Sequence, residues 1–253
     1  KVKLGKSNTM ASNPMHQFEV YRIGPEISLG DINLSFTNAS LFMLISAMSI
    51  ILLLFVGTKK KSLIPSKIQI ITEMCYSFIA KMINDTAGSN AKPFFPFIFT
   101  LFMFVLFCNM VGMLPYAFTV TSHIIVTLML ATVVFIGVTI IGFIKHGFKY
   151  LELFVPKGVP VALLPLIVII EIISYLSRPV SLSVRLFANM MAGHTMLKVF
   201  GGFVISLGLL GGWLPLSFSV ALTGLEILVA FLQAYVFAIL TCIYLNDAIN
   251  LHH

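Results

Sequence analysis

Glu171, Ser174, Arg178, Ser181, Arg185 and Asn189 recur along a stretch that is otherwise apolar. At about 100° per residue on a helix, all of them lie within about 40° of Arg185. They form one polar stripe of carboxylate, hydroxyl, guanidinium and amide groups. Such a stripe suits a hydrated path or a seam against a second protein. An arginine at the centre of a membrane span costs about 2.5–3.5 kcal/mol, so one that persists marks a functional site. Glu171 precedes Arg185 by 14 residues, about 21 Å along a helix axis. That places it near one membrane surface, with Asn189 on the far side of Arg185.

Further along the chain, Glu226, Gln233 and Tyr244 share a helix face to within about 40°. His194 and Glu226 fall in the same half of the membrane. An imidazole and a carboxylate there can pair and relay protons, because histidine titrates near neutrality. His194 lies about 180° from Arg185 on the wheel, so it joins the stripe only through the last helix or a bend. Arg185 has no matching count of acids in its surroundings, which points to a carboxylate on a partner. A carboxyl in lipid stays protonated until it meets a fixed cation, where its pKa falls and the proton leaves. The same cation bars protons from passing straight between two half-paths.

Plainer structural roles compete at each position. Arg185 is open to ion pairing with Glu226. Arg178 suits snorkelling to the inner interface. The serines suit helix packing, and Asn109 suits a cross-helix hydrogen bond. His123 is expected at an interface. His16, His146, His252 and His253 are expected in solvent.

The composition says what kind of element must position these groups. Of 253 residues, 58% are hydrophobic and 10% charged, with mean hydropathy +1.02. A soluble domain carries about 25% charged residues, so this chain cannot cover a core with a solvated surface. A soluble enzyme, a disordered chain and a disulfide scaffold are excluded. The net charge of +7 sits in lysine clusters beside apolar runs, which speaks for membrane topology rather than nucleic acid. Cys75, Cys108 and Cys242 show neither metal-ligand spacing nor a paired framework. Lys1–Met10 is polar and basic with no apolar run directly behind it, so no cleavable signal peptide is expected.

Gaps between formal charges delimit five spans, at about 41–57, 93–114, 124–144, 161–197 and 216–245. The expected fold is all-α: an extramembrane segment over 1–40, then a single transmembrane domain over 41–253. Between the first two spans, Ile64, Ile68, Ile71, Cys75, Phe78 and Met82 recur at helical spacing among Lys67, Glu73, Lys81 and Asp85. This predicts an amphipathic surface helix over about 63–90. Lys59, Lys60, Lys61 and Lys67 follow the first span, and Lys145, Lys149 and Lys157 the third. The positive-inside rule puts both clusters inside, the N-terminus outside and the C-terminus inside. The fourth span is too long to stand upright, so the last two helices are expected as a steeply tilted hairpin, kinked at Pro165 and Pro179. The glycine pairs at 201–202 and 211–212, with Pro215, read as the turn between them.

No HExxH, Walker A or Gly-x-Ser-x-Gly pattern occurs, so neither metalloprotease, P-loop hydrolase nor serine hydrolase chemistry is indicated. A self-contained secondary transporter remains the alternative function. It would show internal repeats around a midplane site, and none is apparent. A purely structural anchor would not keep Arg185 in lipid.

The run Ser181-Leu-Ser-Val-Arg185-Leu-Phe-Ala-Asn189-Met-Met-Ala-Gly193-His194 resembles the signature helix of subunit a of the F-type rotary ATP synthase. Glu226-Ile-Leu-Val-Ala-Phe-Leu-Gln233-Ala-Tyr-Val-Phe resembles its last helix. Asn13-Pro-Met-His-Gln-Phe18, Phe107-Cys-Asn109-Met-Val-Gly112-Met-Leu-Pro115-Tyr and Tyr244-Leu-Asn-Asp247-Ala-Ile-Asn match as well. The resemblance implies that Arg185 is the essential arginine facing the rotating c-ring. It implies an outer half-channel through Asn189, His194, Glu226 and Gln233, and an inner one near Glu171, Ser174 and Ser181. It further implies no cofactor and no bound metal. The partners implied are the c-ring, the peripheral-stalk subunit b and membrane lipid. The location implied is a bacterial inner (plasma) membrane, or alternatively the mitochondrial inner membrane. Histidine at 194 with the acid at 226 is the arrangement typical of alphaproteobacteria and mitochondria.

Overall fold

The computed structural model describes residues 18–23, 28–29, 32–33, 35–59, 65–114, 117–155 and 163–250. Lys1, Lys3, Lys6, Met10, His16 and most of the Asn13–Phe18 motif lie outside the described residues. So do Lys60, Lys61, Ile64, Pro115, Tyr116, Lys157, His252 and His253.

The architecture is all-α. The helices are α1 (Asn38–Lys59), α2 (Lys67–Ala87), α3 (Phe95–Gly112), α4 (Ile124–His146), α5 (Leu164–Gly211) and α6 (Trp213–Ile249). All but α2 are long and apolar enough to cross a membrane. A two-residue antiparallel pair, β1 (Ser28–Leu29) with β2 (Ile32–Asn33), precedes them. The Asn38 side chain ties that N-terminal stretch to α1. Its Nδ2 donates to the Glu19 carbonyl (3.1 Å), and its Oδ1 accepts from the Tyr21 and Ala39 amides.

The helices turn their large apolar side chains outward as well as inward: Ile125, Ile144 and Ile205 are each more than 70% exposed. In water that surface would aggregate, whereas in hydrocarbon it is solvated. Inside, α6 presents Ala230, Ala234 and Ala238, all fully buried, one turn apart. Small side chains let backbones approach closely where lipid offers no hydrophobic drive. α3 packs against α6 and buries Ile98, Phe102 and Val105 in the same core. At the same level Asn109 Nδ2 donates to the Ala230 carbonyl (3.2 Å) across helices.

α2 meets three environments. Ser66 caps its start by accepting from the Gln69 amide. The face that packs on the protein carries Gln69, Thr72, Ile79 and Ile83. The expected apolar stripe is turned about 90° from this: Ile68 and Ile71 are exposed, while Cys75, Phe78 and Met82, further along it, pack on the bundle. Lys67, Glu73, Lys81 and Asp85 are exposed on a third face. Protein, lipid and water thus each receive a suitable side of one helix, as an interfacial helix requires.

Two expectations for the last helices need correction. Gly201 and Gly202 are helical; the helix runs on to a kink at Gly208, a short helical turn follows to Gly211, and α6 begins at Trp213. In lipid every backbone group needs a partner, so a helix carries on through glycines that would end it in water. Pro165 sits in the first turn of α5 and Pro179 keeps helical dihedrals. The single non-helical residue is Gly208, at φ 60° and ψ −159°, a left-handed backbone that suits glycine. Pro215 lies in the first turn of α6 rather than in a loop. The 45 residues from Leu164 to Gly208 would extend about 68 Å at 1.5 Å per residue. A hydrocarbon core about 30 Å thick takes such a helix only at a steep slant. α5 packs against α6 more extensively than any other pair of helices.

Replacing Asn109 by alanine should lower the stability of the folded bundle by about 1 kcal/mol, the usual worth of a cross-helix hydrogen bond in a membrane. A denaturation midpoint in mixed micelles, compared with the parent, measures it.

Candidate functional site

α5 has two unlike faces. Inward it carries Tyr175, Leu182, Leu186, Met190 and His194, all buried against α4 and α6. Outward it carries Ser174, Ser181 and Arg185, all exposed; Glu171 and Asn189 are half-buried beside them. Ser174, Ser181 and Arg185 thus face away from the bundle, whereas Arg178, in the same stripe, reaches to Asp247 on α6.

Arg185 has no carboxylate oxygen within ion-pairing distance among the described residues. The expected competition from Glu226 does not arise, because Glu226 is turned the other way. It is 5% exposed, and its Oε1 lies 3.5 Å from His194 Nδ1. His194 is 9% exposed. The half-turn between Arg185 and His194 on α5 is bridged by α6, which brings Glu226 to the buried side.

Gly193 permits this meeting. A Cβ at that position would stand 2.7 Å from Glu226 Oε1 and 3.1 Å from its Cδ. Neither Glu226 oxygen nor His194 Nε2 has a hydrogen-bonding partner among the described residues. Buried polar atoms in this condition are where water is recruited. Gln233 lies half-buried on α6, seven residues beyond Glu226.

Arg178 does not snorkel alone. Its Nη1 donates to Asp247 Oδ2 at 3.2 Å. Its guanidinium carbon stands 5.4 Å from the Tyr175 ring centre and 5.0 Å from that of Tyr244. The sequence analysis placed Asp247 in a motif without giving it a role. The wheel of α5 could not reveal a partner 69 residues away.

A chain of hydroxyls adjoins this pair: Thr139 Oγ1 to Tyr175 OH at 2.7 Å, then Tyr150 OH at 3.0 Å. Thr127 and Ser183 share another buried hydrogen bond, at 3.1 Å. The signal for these was available, since a tyrosine or hydroxyl buried in an apolar run needs a partner. His146, expected in solvent, bonds through Nε2 to the Ile249 carbonyl at 2.9 Å and so holds the end of α6 to the end of α4. His123, expected at an interface, is half-buried and stacks on Phe118 at 4.9 Å. Burial pushes its pKa below the ordinary imidazole value. Among the described residues no group of three His, Cys, Asp or Glu side chains gathers as a metal site.

Comparison with known proteins extends this picture. Residues 40–246 match the family model described as ATP synthase A chain. The chain is 78% identical over 244 residues to "ATP synthase subunit a" of Pelagibacter ubique, covering 96% of this chain and all of that protein. It is 57% identical over 250 residues to the protein of the same name from Chelativorans sp., covering 96% and 100%. The Rhizobium rhizogenes protein is 60% identical over 247 residues, covering 95% and 98%.

The Gly193 geometry predicts that Gly193→Ala displaces the Glu226 carboxyl without breaking α5. Infrared difference spectra of the carboxyl band should shift in this variant and stay unchanged in Ala192→Gly, at the exposed neighbouring position.

Proposed function

The chain belongs to the ATP synthase A chain family, and on that footing we propose that it is the stator subunit of the membrane sector of a rotary ATP synthase. It presents Arg185 to the ring of subunit c, with two offset proton half-channels leading to either side of that contact. It hydrolyses no nucleotide itself. Its work is to couple proton flow to rotation, in the plasma membrane of a bacterium, with the N-terminus outside and subunit b as its fixed companion.

A single observation carries the proposal. Arg185 is exposed at mid-helix with no carboxylate in reach among the described residues, while the acid of the last helix, Glu226, is buried against His194. An unpaired guanidinium facing lipid is costly, and a carboxylate arriving on a partner removes that cost. A ring carboxyl travels through lipid protonated. Beside Arg185 its charged form is favoured, so it releases its proton toward the inner half-channel along Glu171, Ser174 and Ser181. It is reprotonated from the outer half-channel, where Asn189, His194, Glu226 and Gln233 line the route. The fixed positive charge keeps protons from crossing directly between the two. Each charge moved gains about 2.3 kcal/mol per 100 mV of membrane potential.

Arg185→Ala in the whole complex, reconstituted in vesicles, should abolish ATP-driven proton pumping; unchanged pumping would overturn the proposal. Glu226→Gln should slow pumping at least tenfold with normal assembly. Loss of assembly alone would give Glu226 a structural role instead.

A further inference from the structure

The stripe on α5 carries two arginines, and the bundle treats them in opposite ways. Arg178 precedes Arg185 by seven residues, about 10 Å along the axis and about 20° around it. Arg178 is drawn into the α5–α6 seam. It bonds Asp247 at 3.2 Å and packs over Tyr175 and Tyr244, with its side chain 21% exposed. Arg185 is left outside. The Asp247 carboxylate, held at Arg178, therefore stands about two helical turns along the stripe from Arg185. Asp247 itself is 36% exposed at its side chain, and inside a membrane an unclaimed carboxylate acts over long distances because little screens it.

We propose that Arg178 is a positioning residue that binds Asp247 to the seam and thereby keeps Arg185 uncompensated for a carboxylate arriving from outside. The planar guanidinium, lying near two tyrosine rings, points its Nη1 at Asp247 and so fixes the carboxylate in direction as well as in charge. Without Arg178, the negative field of Asp247 falls on Arg185. That weakens the attraction of Arg185 for the partner acid and lowers its barrier to proton passage.

This inference rests on Arg185 working as described under the proposed function, and the experiment separates the two. Arg178→Gln, Asp247→Asn and the double variant are built in the complete complex, with Arg185→Ala alongside, and rates are taken per assembled complex. Two quantities are read in vesicles: ATP-driven pumping, and passive proton leak after removal of the water-soluble sector. Arg178→Gln is expected to lower pumping at least fivefold and raise the leak. Asp247→Asn and the double variant are expected within about twofold of the parent in both. A merely structural pair would lower assembly without raising the leak per complex. The inference is overturned if Arg178→Gln leaves the leak unchanged or fails to assemble, if Asp247→Asn itself leaks, or if the double variant stays as impaired as Arg178→Gln. Unchanged pumping in Arg185→Ala would instead remove the proposed function beneath it.

Discussion

A guanidinium exposed midway along an apolar helix, with no carboxylate among the described residues to meet it, is the constraint that organises this molecule. At about 2.5–3.5 kcal/mol for a helix centre, the cost of Arg185 is comparable to several ordinary interactions in a membrane bundle. The fold does not relieve it. Glu226 is turned inward to His194, Asp247 is bound to Arg178, and the stripe around Arg185 is left at the protein surface. The rest of the packing can be understood as what keeps those three arrangements apart.

That separation is achieved by close contact rather than by distance. The alanine row on α6 lets α3 approach, and Gly193 lets Glu226 reach into the α5–α6 seam. The Arg178–Asp247 pair, the tyrosine hydroxyls and the His146 bond to the last turn of α6 fasten the ends of α4, α5 and α6 to one another. In lipid, where apolar burial supplies little drive, such small-residue contacts and hydrogen bonds carry the association of helices.

Much of this was legible in the sequence, because a membrane makes charge conspicuous. Gaps between formal charges marked the helices, and the wheel angle alone placed Arg185 and His194 on opposite faces. The residues that escaped did so for identifiable reasons. The continuation of α5 through Gly201–Gly202 contradicts the habit of glycine in water, where a broken helix can bond to solvent; lipid offers no such exit. The packed face of α2 includes Gln69 and Thr72, since a helix at an interface sorts its sides among three media rather than two. The partners of Arg178 and His146 lie 69 and 103 residues away, on another helix. Periodicity fixes an angle on one helix but not what stands opposite.

The interval between Arg185 and His194 has a consequence of its own. Nine residues make roughly two and a half turns, a half-integer, so the anchored side of α5 dictates where the free side points, much as a keyway sets the phase of a cam on its shaft. Substitutions along this interval leave the phase intact. An insertion or deletion of one residue rotates Arg185 against its anchor by about 100°, so this stretch of the chain tolerates changes of identity far better than changes of length.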